Sequence, residues 1–567
     1  MKYTLACLSL MILALLAACA PTQTPETLPA PTALPAPTAL PTLAPTPALA
    51  APQPASPVGL DGQLVQGTAG QPWWNDTVFY EVFVRSFQDS NGDGVGDLNG
   101  LIQKLDYLND GDPATTTDLG VTGIWLMPIA ESPSYHGYDV SDYTQVDREY
   151  GTNADFKRLI DETHRRGIRV IVDLVLNHTS GQHPWFAASQ DPASPKRDWY
   201  IWSKEQPQGS GWHRGADGWY YGYFSEGMPD LNYRNEAVTS AMHDTARFWL
   251  EEMGADGFRL DAVKYLIEDG RRIENTPATH DWLKDFHTFY KGVRGDALTV
   301  GEVWSTSDVS ASYVGDELDV AFDFPLAEAT IASALNGRSL DAQRAQKAVL
   351  AAYPAGQYAT FLANHDQNRT RSRLIDDDQA RMAATLQLLF SGVPFVYYGE
   401  EIGMSGTKPD ENLRRPMQWT ADGGFTSGKP WQDYFEDFAQ RNVAAQTQDP
   451  QSLLSHYREL IRLRNSQEAL RIGQPWLIES DHPAIYAALR SSANQIVLVL
   501  LNLSHKPVDG YSLSLASGPL KGDMQARLLF GEGDVQPPQP NAAGGFDAYR
   551  PTAVLPAYSA LVVQLAP

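Results

Sequence analysis

The sequence of 567 residues predicts an α/β protein whose largest part is a (β/α)8 barrel of the TIM type. Eight short apolar runs alternate with helical patterns, and eight is the number of parallel strands that closes such a barrel. A stretch rich in Trp, Gly, Pro and Ser follows the third run and predicts an excursion domain. Beyond Arg464 short strands separated by turn residues predict a C-terminal antiparallel β domain.

The apolar runs define the predicted barrel strands, in chain order 78–84, 123–126, 170–174, 257–260, 298–301, 319–322, 360–362 and 395–397. Helical periodicity separates them, for example at 155–166, 236–253 and 378–389. The strands predicted in the C-terminal domain include 484–489, 495–502 and 560–565. Together these elements predict a barrel over 72–465, an excursion domain over 178–232 and a C-terminal β-sandwich over 466–567.

The composition excludes one class of partner. Asp and Glu number 68 against 43 Lys and Arg, which gives a formal net charge of −25 at pH 7. A surface this acidic repels phosphate backbones, so we expect no nucleic-acid partner. It suits ligands that are neutral, or cations held by carboxylates. The 14 Trp, 25 Tyr and 20 Phe would serve a large core or the flat faces of a sugar-binding cleft equally well.

The N-terminus predicts export. Residues 5–18 form an apolar run that is too short to span a membrane and is typical of a signal peptide. The run ends Leu-Ala-Ala-Cys19, which resembles the lipobox of bacterial lipoproteins and implies a signal peptide over 1–19 with lipid attached to Cys19. Plain secretion is the alternative. The one other cysteine is Cys7, within the same segment, so no disulfide is expected in the folded body.

The segment 20–71 predicts a spacer between this anchor and the folded body. Of the 37 residues at 21–57, 12 are Pro and one is charged, and Pro-Ala-Pro-Thr-Ala-Leu occurs twice in tandem. Such a composition cannot build a core and favours extended polyproline II. We therefore expect an exported protein, lipid-anchored at the bacterial cell envelope or surface, whose body is held away from the membrane.

Polar residues cluster where the predicted strands end. In a parallel barrel the carboxyl ends of all strands meet at one mouth, where the chemistry takes place. Arg259 and Asp261 lie two apart at the end of the fourth run and so face the same side. We expect the guanidinium to keep the aspartate ionised, as a nucleophile requires. The other polar residues at strand ends are His178 after the third run, Glu302 after the fifth, and His365 and Asp366 after the seventh.

Four of these strand-end segments carry a specific resemblance. Residues 173–178, 257–262, 300–304 and 361–366 are similar to the conserved regions of glycoside hydrolase family 13, the α-amylase family. The resemblance extends from about residue 73 to the C-terminus. It implies retaining hydrolysis of an α-glucosidic bond, with Asp261 as nucleophile, Glu302 as general acid/base and Asp366 as the group that stabilises the transition state.

The same resemblance implies which residues hold the sugar. The segment 135–139 is similar to the HGY segment of the family, so Tyr138 is expected to stack on the sugar at the cleavage site. His178 and His365 would hydrogen-bond its hydroxyls, and Lys264 matches a lysine that contacts sugar on the leaving-group side. The expected substrate-binding set is His136, Tyr138, His178, Arg259, Lys264 and His365.

An acidic loop after the first strand predicts a calcium site. Residues 89–97, DSNGDGVGD, have oxygen side chains at positions 1, 3, 5 and 9 and Gly at position 6, as in a calcium loop. Position 12 is Gly100 instead of Glu, so the loop is not an EF-hand. A similar loop binds calcium in family 13, which implies Ca²⁺ as cofactor; an acidic turn without metal is the alternative. The expected ligands are Asp89, Asn91, Asp93, Asp97 and the Val95 carbonyl.

A second calcium site of the family, between the barrel and the excursion domain, is not predicted. Many α-amylases have a His four residues after the nucleophile whose backbone helps to bind this ion, and here that position is Tyr265. Asn177 would still be available as a ligand, but one matching position does not predict the site.

Sequence features divide between two specificities. Residues 228–232, MPDLN, lie between the QPDLN of oligo-1,6-glucosidases and the MPKLN of neopullulanases, and so resemble the intermediate group that includes lipoprotein α-amylases. Ala262, directly after the nucleophile, accompanies α-1,4 cleavage in the family, whereas Val there accompanies α-1,6 cleavage. Residues 414–419, RRPMQW, favour the other reading, because similar segments occur in exo-acting glucosidases.

Three functional hypotheses follow. The first is endo-hydrolysis of α-1,4 bonds in starch, glycogen or maltooligosaccharides, by a monomer whose partner is the α-glucan. The second is exo-action of an α-glucosidase or oligo-1,6-glucosidase kind. The third is a surface starch-binding protein without turnover, against which the retention of Asp261, Glu302 and Asp366 argues.

Overall fold

The computed structural model describes residues 57–567 and shows a closed barrel of eight parallel strands. The predicted signal peptide, Cys19 and residues 20–56 of the predicted spacer lie outside the described residues. Neighbouring strands in the barrel are also successive in the chain, and the eighth strand pairs with the first to close it. The strands are β1 (Phe79–Val82), β2 (Gly123–Leu126), β3 (Arg169–Leu174), β4 (Gly257–Leu260), β5 (Leu298–Gly301), β6 (Val320–Phe322), β7 (Tyr358–Thr360) and β8 (Val393–Tyr397).

The barrel strands read as continuous apolar runs because both of their faces are buried. Helices cover the outer face, and side chains from the strands fill the interior, so the barrel is a packed core and not a pore. Phe79 and Phe395 stack inside it with their rings 4.5 Å apart, and Trp125 packs against Phe322. The predicted fold class is confirmed.

Five predicted barrel strands differ from the observed ones by one or two residues at an end, and two of them, β1 and β7, differ at both ends. β7 covers Tyr358–Thr360, two residues before the predicted 360–362, because pairing with β8 ends at Thr360. Phe361 lies beyond that ladder and packs edge-on against Phe322, which explains its apolar character. β1 ends at Val82, and the chain turns into the short helix Val84–Phe87.

Helices alternate with the strands and surround the barrel. The helix predicted over 236–253 is an α-helix up to Arg247 and continues as the π-helix Phe248–Glu252. In residues 57–567 no helix is both long and apolar enough to cross a membrane. The longer helices are Asn153–His164, Glu236–Arg247, Pro277–Val293, Phe324–Asn336, Leu340–Ala352, Asp377–Leu389 and Leu453–Ser466. The shorter ones are Val84–Phe87, Leu98–Gln103, Leu105–Leu108, Pro184–Ser189, Ser307–Ala311, Thr370–Arg373, Asp410–Leu413, Val443–Thr447 and Glu468–Ile472.

The excursion after β3 is a small unit built on aromatic packing. Phe186 of the helix Pro184–Ser189 packs against Tyr200 and Tyr220, with ring centroids 5.0 and 4.8 Å apart. An isolated bridge pairs His178 with Asp230 and so joins the two ends of the excursion at the barrel mouth. Its sheet has three strands in the order Trp202–Ser203, Gly218–Tyr221 and Trp212–Gly215.

The C-terminal domain is a sandwich of two antiparallel sheets with its own apolar core. Two buried arginines lie at its junction with the barrel, and Arg490, which belongs to the C-terminal domain, joins the two parts. Arg490 donates to the carbonyls of Leu389 and Leu470, and Arg464 donates to that of Leu388, so both stabilise carbonyl groups at helix ends. The strands are β9 (Gln474–Leu477), β10 (Glu479–Ser480), β11 (Ile485–Ser491), β12 (Ile496–Asn502), β13 (Leu513–Leu515), β14 (Gln525–Phe530), β15 (Phe546–Tyr549) and β16 (Ser559–Ala566).

Candidate active site

Three carboxylates meet in one cavity at the carboxyl ends of the barrel strands. Asp261 directly follows β4, Glu302 directly follows β5, and Asp366 lies on the loop after β7. All three line a cavity of about 690 Å³, open at the mouth of the barrel. The strand order therefore brings Asp261 and Asp366 into one cavity, although they are 105 positions apart in the sequence.

Arg259 links two of these carboxylates from below. Its Nη1 lies 2.7 Å from Asp261 Oδ1, and its Nη2 lies 2.7 Å from Glu302 Oε2. Nη1 also donates to both oxygens of Asp173 at 3.0 Å. Only 1% of Arg259 is exposed, so its charge acts in a medium of low polarity. One guanidinium thus orients both carboxylates and offsets their repulsion.

The turn after the nucleophile candidate positions the second carboxylate. Ala262 has φ 49° and ψ 34°, in the left-handed region, which turns its backbone N–H towards Glu302. That N–H donates to Glu302 Oε2 over 3.2 Å. Arg259 and Ala262 together leave Oε1 of Glu302 as the oxygen that is available to carry a proton.

Burial, which the sequence does not show, has the largest effect on the acid–base properties of the pair. The pKa of Asp261 is raised to about 6, because burial, together with the charge of Asp173, outweighs the effect of Arg259. Burial also raises the pKa of Glu302 to about 7, again against the effect of Arg259 and with the charge of Asp261 adding to it. Arg259 therefore only limits the rise that burial causes, and Glu302 is the more readily protonated partner.

Asp366 lies in the opposite electrostatic situation. Burial acts to raise its pKa, but His365 and Arg414 outweigh burial and hold the pKa below its ordinary value. Arg414 Nη2 lies 2.9 Å from Asp366 Oδ1, and His365 Nε2 lies 3.3 Å from Oδ2. Asp366 is thus a permanent negative charge in the cavity.

His365 is held as a cation behind that charge. Burial acts to lower its pKa, but Asp366 and Glu81 outweigh it and raise the pKa to about 9. Its Nδ1 lies 2.6 Å from Glu81 Oε1, and its Nε2 lies 2.7 Å from the hydroxyl of Tyr138. Sequence reasoning missed Glu81, although a glutamate inside the apolar strand FYEV was a signal.

Four of the six expected substrate-binding residues line the cavity, namely His136, Tyr138, His178 and Lys264. Burial lowers the pKa of His178 to about 4, so its imidazole is neutral. A backbone hydrogen bond to Tyr138 acts to raise this pKa, but burial outweighs it. Lys264 Nζ is held 2.9 Å from the Trp304 carbonyl and 2.7 Å from Glu274.

The other two, Arg259 and His365, do not line the cavity and are 1% and 0% exposed. Direct contact of these two residues with sugar stays a prediction, and in the structure both hold groups that line the cavity. Arg259 orients the two carboxylates, and His365 orients Tyr138 and Asp366. The geometry makes them positioning residues.

Several residues of the cavity were not predicted as site residues. Phe224 and Trp304 are large apolar side chains that are 45% and 47% exposed at its rim. Trp304 stacks on Phe324 with ring centroids 4.5 Å apart, which holds the indole in place while one face stays free. Exposed aromatic rings of this kind suit the apolar faces of sugars. Lys408, Asp410 and Arg414 come from the loop after β8 and complete the wall.

The acidic loop 89–97 has oxygen side chains bent towards its own backbone. Asp89 Oδ1 accepts from the N–H groups of Asn91 and Gly92, Asn91 Oδ1 accepts from Asp93, and Asp93 Oδ1 accepts from Val95. The donor types are all hard oxygens, which fits Ca²⁺. In the described part of the chain, no three His, Cys, Asp or Glu side chains are grouped as metal ligands, and the loop's set relies on an amide and a carbonyl as well. Asp97 caps the following helix through Gly100 N–H.

Comparisons with known proteins extend these observations. Residues 81–473 match the family model described as "Alpha amylase, catalytic domain". The chain is 39% identical over 444 residues to Alpha-amylase 3 of Dictyoglomus thermophilum, which covers 76% of this chain and 86% of that protein. It is 34% identical to the Trehalose-6-phosphate hydrolase of Bacillus subtilis, over 77% of this chain and 90% of that protein. It is 32% identical to the Oligo-1,6-glucosidase of Heyndrickxia coagulans, over 77% of this chain and 93% of that protein.

A solved structure agrees with the fold as well. The crystal structure of alpha-amylase from H. orenii superposes with a TM-score of 0.76 at 39% sequence identity, and it covers 86% of this chain and 99% of that one. The family model spans most of the described residues, including the three cavity carboxylates. The chain belongs to glycoside hydrolase family 13, the α-amylase family, and is a glycosidase of that family.

Proposed function

We propose that this glycosidase hydrolyses internal α-1,4-glucosidic bonds of starch, glycogen or maltooligosaccharides with retention of configuration. The observation that carries the mechanism is the attachment of Asp261 and Glu302 to the two arms of one guanidinium. Retaining glycosidases need two carboxyl groups about 5–5.5 Å apart, and a shared guanidinium holds the pair side by side. Asp366 supplies a third, permanently negative group in the same cavity.

In the first step Glu302 acts as an acid and Asp261 as a nucleophile. Glu302 gives its proton to the glycosidic oxygen, so the leaving glucan departs as an alcohol. Arg259 holds Asp261 Oδ1, which leaves Oδ2 to form a bond with the anomeric carbon as the glycosidic bond breaks. Asp366 lines the same cavity, and in this proposal its negative charge stabilises the oxocarbenium-like transition state.

In the second step the roles of Glu302 reverse. Its carboxylate takes a proton from water, the hydroxyl oxygen bonds to the anomeric carbon, and the ester bond to Asp261 breaks. Two displacements at one carbon restore the α configuration. Glu302 ends protonated and Asp261 ionised, so both return to their starting states.

The choice of α-1,4 bonds and internal cleavage has two supports. Ala262 lines the cavity directly after the nucleophile, at the position where the family resemblance connects Thr or Ala with α-1,4 action. The relatives named as α-amylases are 39% identical, against 32% and 34% for the oligo-1,6-glucosidase and the trehalose-6-phosphate hydrolase. The exposed rings of Phe224 and Trp304 at the rim of the cavity offer contacts for further sugar units of a long chain.

Exo-action is the second candidate, because charged groups stand at the cavity wall. Lys408 pairs with Asp410, and Asp410 lies 3.5 Å from Arg414, which itself holds Asp366. A wall of paired charges next to Asp366 would close the cavity beyond the terminal glucose. The two candidates differ in the products that they release from a long chain.

Product analysis separates the candidates. The full-length protein, purified in mild detergent with calcium, is incubated with soluble starch, maltotriose, isomaltose and nitrophenyl α-glucoside, and products are followed by chromatography. Endo-action predicts early release of mixed maltooligosaccharides from starch with little hydrolysis of the glucoside. Glucose released one unit at a time would establish exo-action instead. If no substrate gave any product, the protein would be a starch-binding protein without turnover.

We expect a bell-shaped dependence of kcat/KM on pH. Activity requires ionised Asp261 and protonated Glu302, whose pKa values are about 6 and about 7. The rate therefore falls as pH drops through about 6, where Asp261 gains a proton, and falls again as pH rises through about 7, where Glu302 loses one. Rates measured with maltotriose across this range test the profile. For a substrate whose leaving group is acidic and needs little protonation, the rate should fall much less as pH rises through about 7. A rate that does not depend on pH would contradict the assignment of Asp261 and Glu302.

We also propose that the loop 89–97 binds Ca²⁺, held by Asp89, Asn91, Asp93, Asp97 and the Val95 carbonyl. Bound calcium would neutralise the loop's negative charge and stabilise the fold, so its removal by EDTA should lower Tm by about 2–5 °C. Differential scanning calorimetry with metal analysis checks this. Asp93→Ala should abolish the shift, whereas Asp112→Ala, in another acidic turn, should preserve it. An EDTA-insensitive Tm together with metal-free protein would contradict calcium binding.

We propose further that the protein is exported and held at the bacterial cell envelope through lipid on Cys19. The lipobox-like Leu-Ala-Ala-Cys19 and the Pro-rich segment after it support this proposal. Export and anchoring would place the enzyme where external polysaccharide is met. Cys19→Ser should move the protein from the membrane fraction to the soluble fraction, and an unchanged distribution would contradict lipidation.

A further inference from the structure

A second cavity lies beside the active site and shares no lining residue with it. Its volume is about 700 Å³, close to that of the active-site cavity. The excursion contributes one wall, including Trp202 and Trp212, and the loop after β4 contributes the other, including Glu268 and Arg271. No role in the proposed hydrolysis falls to any of these residues.

A single layer of residues separates the two cavities. Tyr265 lines the active-site cavity and the next residue, Leu266, lines the second one. On the facing segment Tyr221 lines the second cavity, and Tyr223 stacks on Tyr265 with ring centroids 4.5 Å apart. Because neighbouring residues line the two cavities, one polymer chain is able to reach both.

One aromatic side chain that lines the second cavity keeps part of its ring exposed. Trp212 is partly exposed and packs against Tyr221 at 5.3 Å with the rings inclined by 56°, so much of the indole remains open. Trp202 lines the cavity too, and within residues 57–567 its buried Nε1–H has no acceptor.

The polar lining suits a neutral, hydroxyl-rich ligand. Glu268 lies within the cavity, where burial raises the pKa of its carboxyl to about 7. Asn232 adds an amide, and Arg271 adds a guanidinium. Carboxyl, amide and guanidinium groups beside flat rings offer donors and acceptors to sugar hydroxyls, while the mixed charges favour neither an anion nor a cation.

We propose that this second cavity is a binding site for a neutral α-glucan segment, distinct from the site of cleavage. The inference rests on the proposed function, because an enzyme that cleaves long chains gains from holding the same chain at a second point. Binding there makes capture by the active site intramolecular and raises the effective concentration of the polymer. Short substrates, which occupy only one cavity, gain nothing.

The test compares Trp212→Ala with Trp219→Ala in the full-length protein. Trp219 is a partly exposed tryptophan on the neighbouring strand of the same sheet, and it does not line the second cavity. Trp212→Ala should raise KM for soluble starch by about 3–10-fold and abolish retardation in native gels containing glycogen. Its kcat/KM for maltotriose should match the wild type, and Trp219→Ala should change neither.

The outcomes separate this inference from the proposed function. Unchanged glycogen retardation and starch KM for Trp212→Ala, or equal losses for both tryptophan variants, would overturn the second site. A wild-type protein that is retarded by glycogen but cleaves neither substrate would overturn the proposed hydrolysis alone. Glu268→Gln provides a second variant, expected to weaken glycogen retardation, in case Trp212→Ala does not fold as judged by its Tm.

Discussion

Asp261→Asn lowers kcat for starch by more than about 10⁴-fold, and Glu302→Gln lowers it by about 10³–10⁴-fold. The first removes the carboxylate that bonds to the anomeric carbon in the proposed mechanism. The second removes the proton that makes the glucan a leaving group. Both changes are nearly isosteric, and each amide can still accept a hydrogen bond from Arg259, so the fold and Tm stay close to wild type.

The two variants differ in how they respond to the leaving group. An α-glucosyl fluoride needs no proton on its leaving group, so Glu302→Gln should recover most of the rate of bond cleavage on that substrate. Asp261→Asn should stay inactive on both substrates. Burst and steady-state rates from stopped-flow measurements check this, with Glu226→Gln, an exposed carboxylate in the excursion, as the matched control. Near wild-type starch hydrolysis by Glu302→Gln would show that the acid/base role lies elsewhere.

Arg259→Met lowers the free energy of unfolding by about 3–5 kcal/mol and abolishes turnover. The guanidinium is buried and contacts Asp173, Asp261 and Glu302, so its loss leaves three acidic groups without their cation. Their folded-state pKa values then rise further above those of the unfolded chain. The folded state binds more protons than the unfolded one, so the variant loses stability as pH rises from about 4 towards the raised pKa values.

Urea denaturation at about pH 5 and pH 8 checks this, and the stability deficit of Arg259→Met should be larger at the higher pH. Arg259→Lys keeps the charge, but its single ammonium group cannot reach both carboxylates at once. Its free energy of unfolding should therefore lie between those of Arg259→Met and the wild type. Arg247→Met, on the partly exposed end of a helix, serves as the control. A deficit that does not depend on pH would mean that lost packing, and not the carboxylates, explains the effect.

The barrel was predictable because its strands are buried on both faces. Each strand therefore appears as a short apolar run, and helices between the runs imply parallel pairing. The strand ends were predictable for the same reason, since Asp261 and Glu302 stand directly after such runs. Glu81 was missed because it lies inside a strand, although an isolated charge there needs a partner and found one in His365.

The loop residues of the site could not be predicted from periodicity. Phe224, Lys408 and Asp410 enter the cavity because of the paths of the excursion and of the loop after β8. The spacing of residues in the sequence does not predict the course of these two segments. The raised pKa of Asp261 could not be predicted for a related reason, because its neighbour Arg259 is visible in the sequence and the burial that outweighs that neighbour is not.

The central claim, that Asp261 forms the covalent intermediate, is tested most directly by trapping that intermediate. A 5-fluoro-α-glucosyl fluoride forms the glycosyl ester quickly and releases it slowly, so the adduct accumulates and its position can be read by peptide mass spectrometry. We predict one added fluoroglucosyl group, attached to the peptide that contains Asp261 and absent from Asp261→Asn. Attachment to another carboxylate, or release of product with inverted configuration and no adduct, would contradict the account.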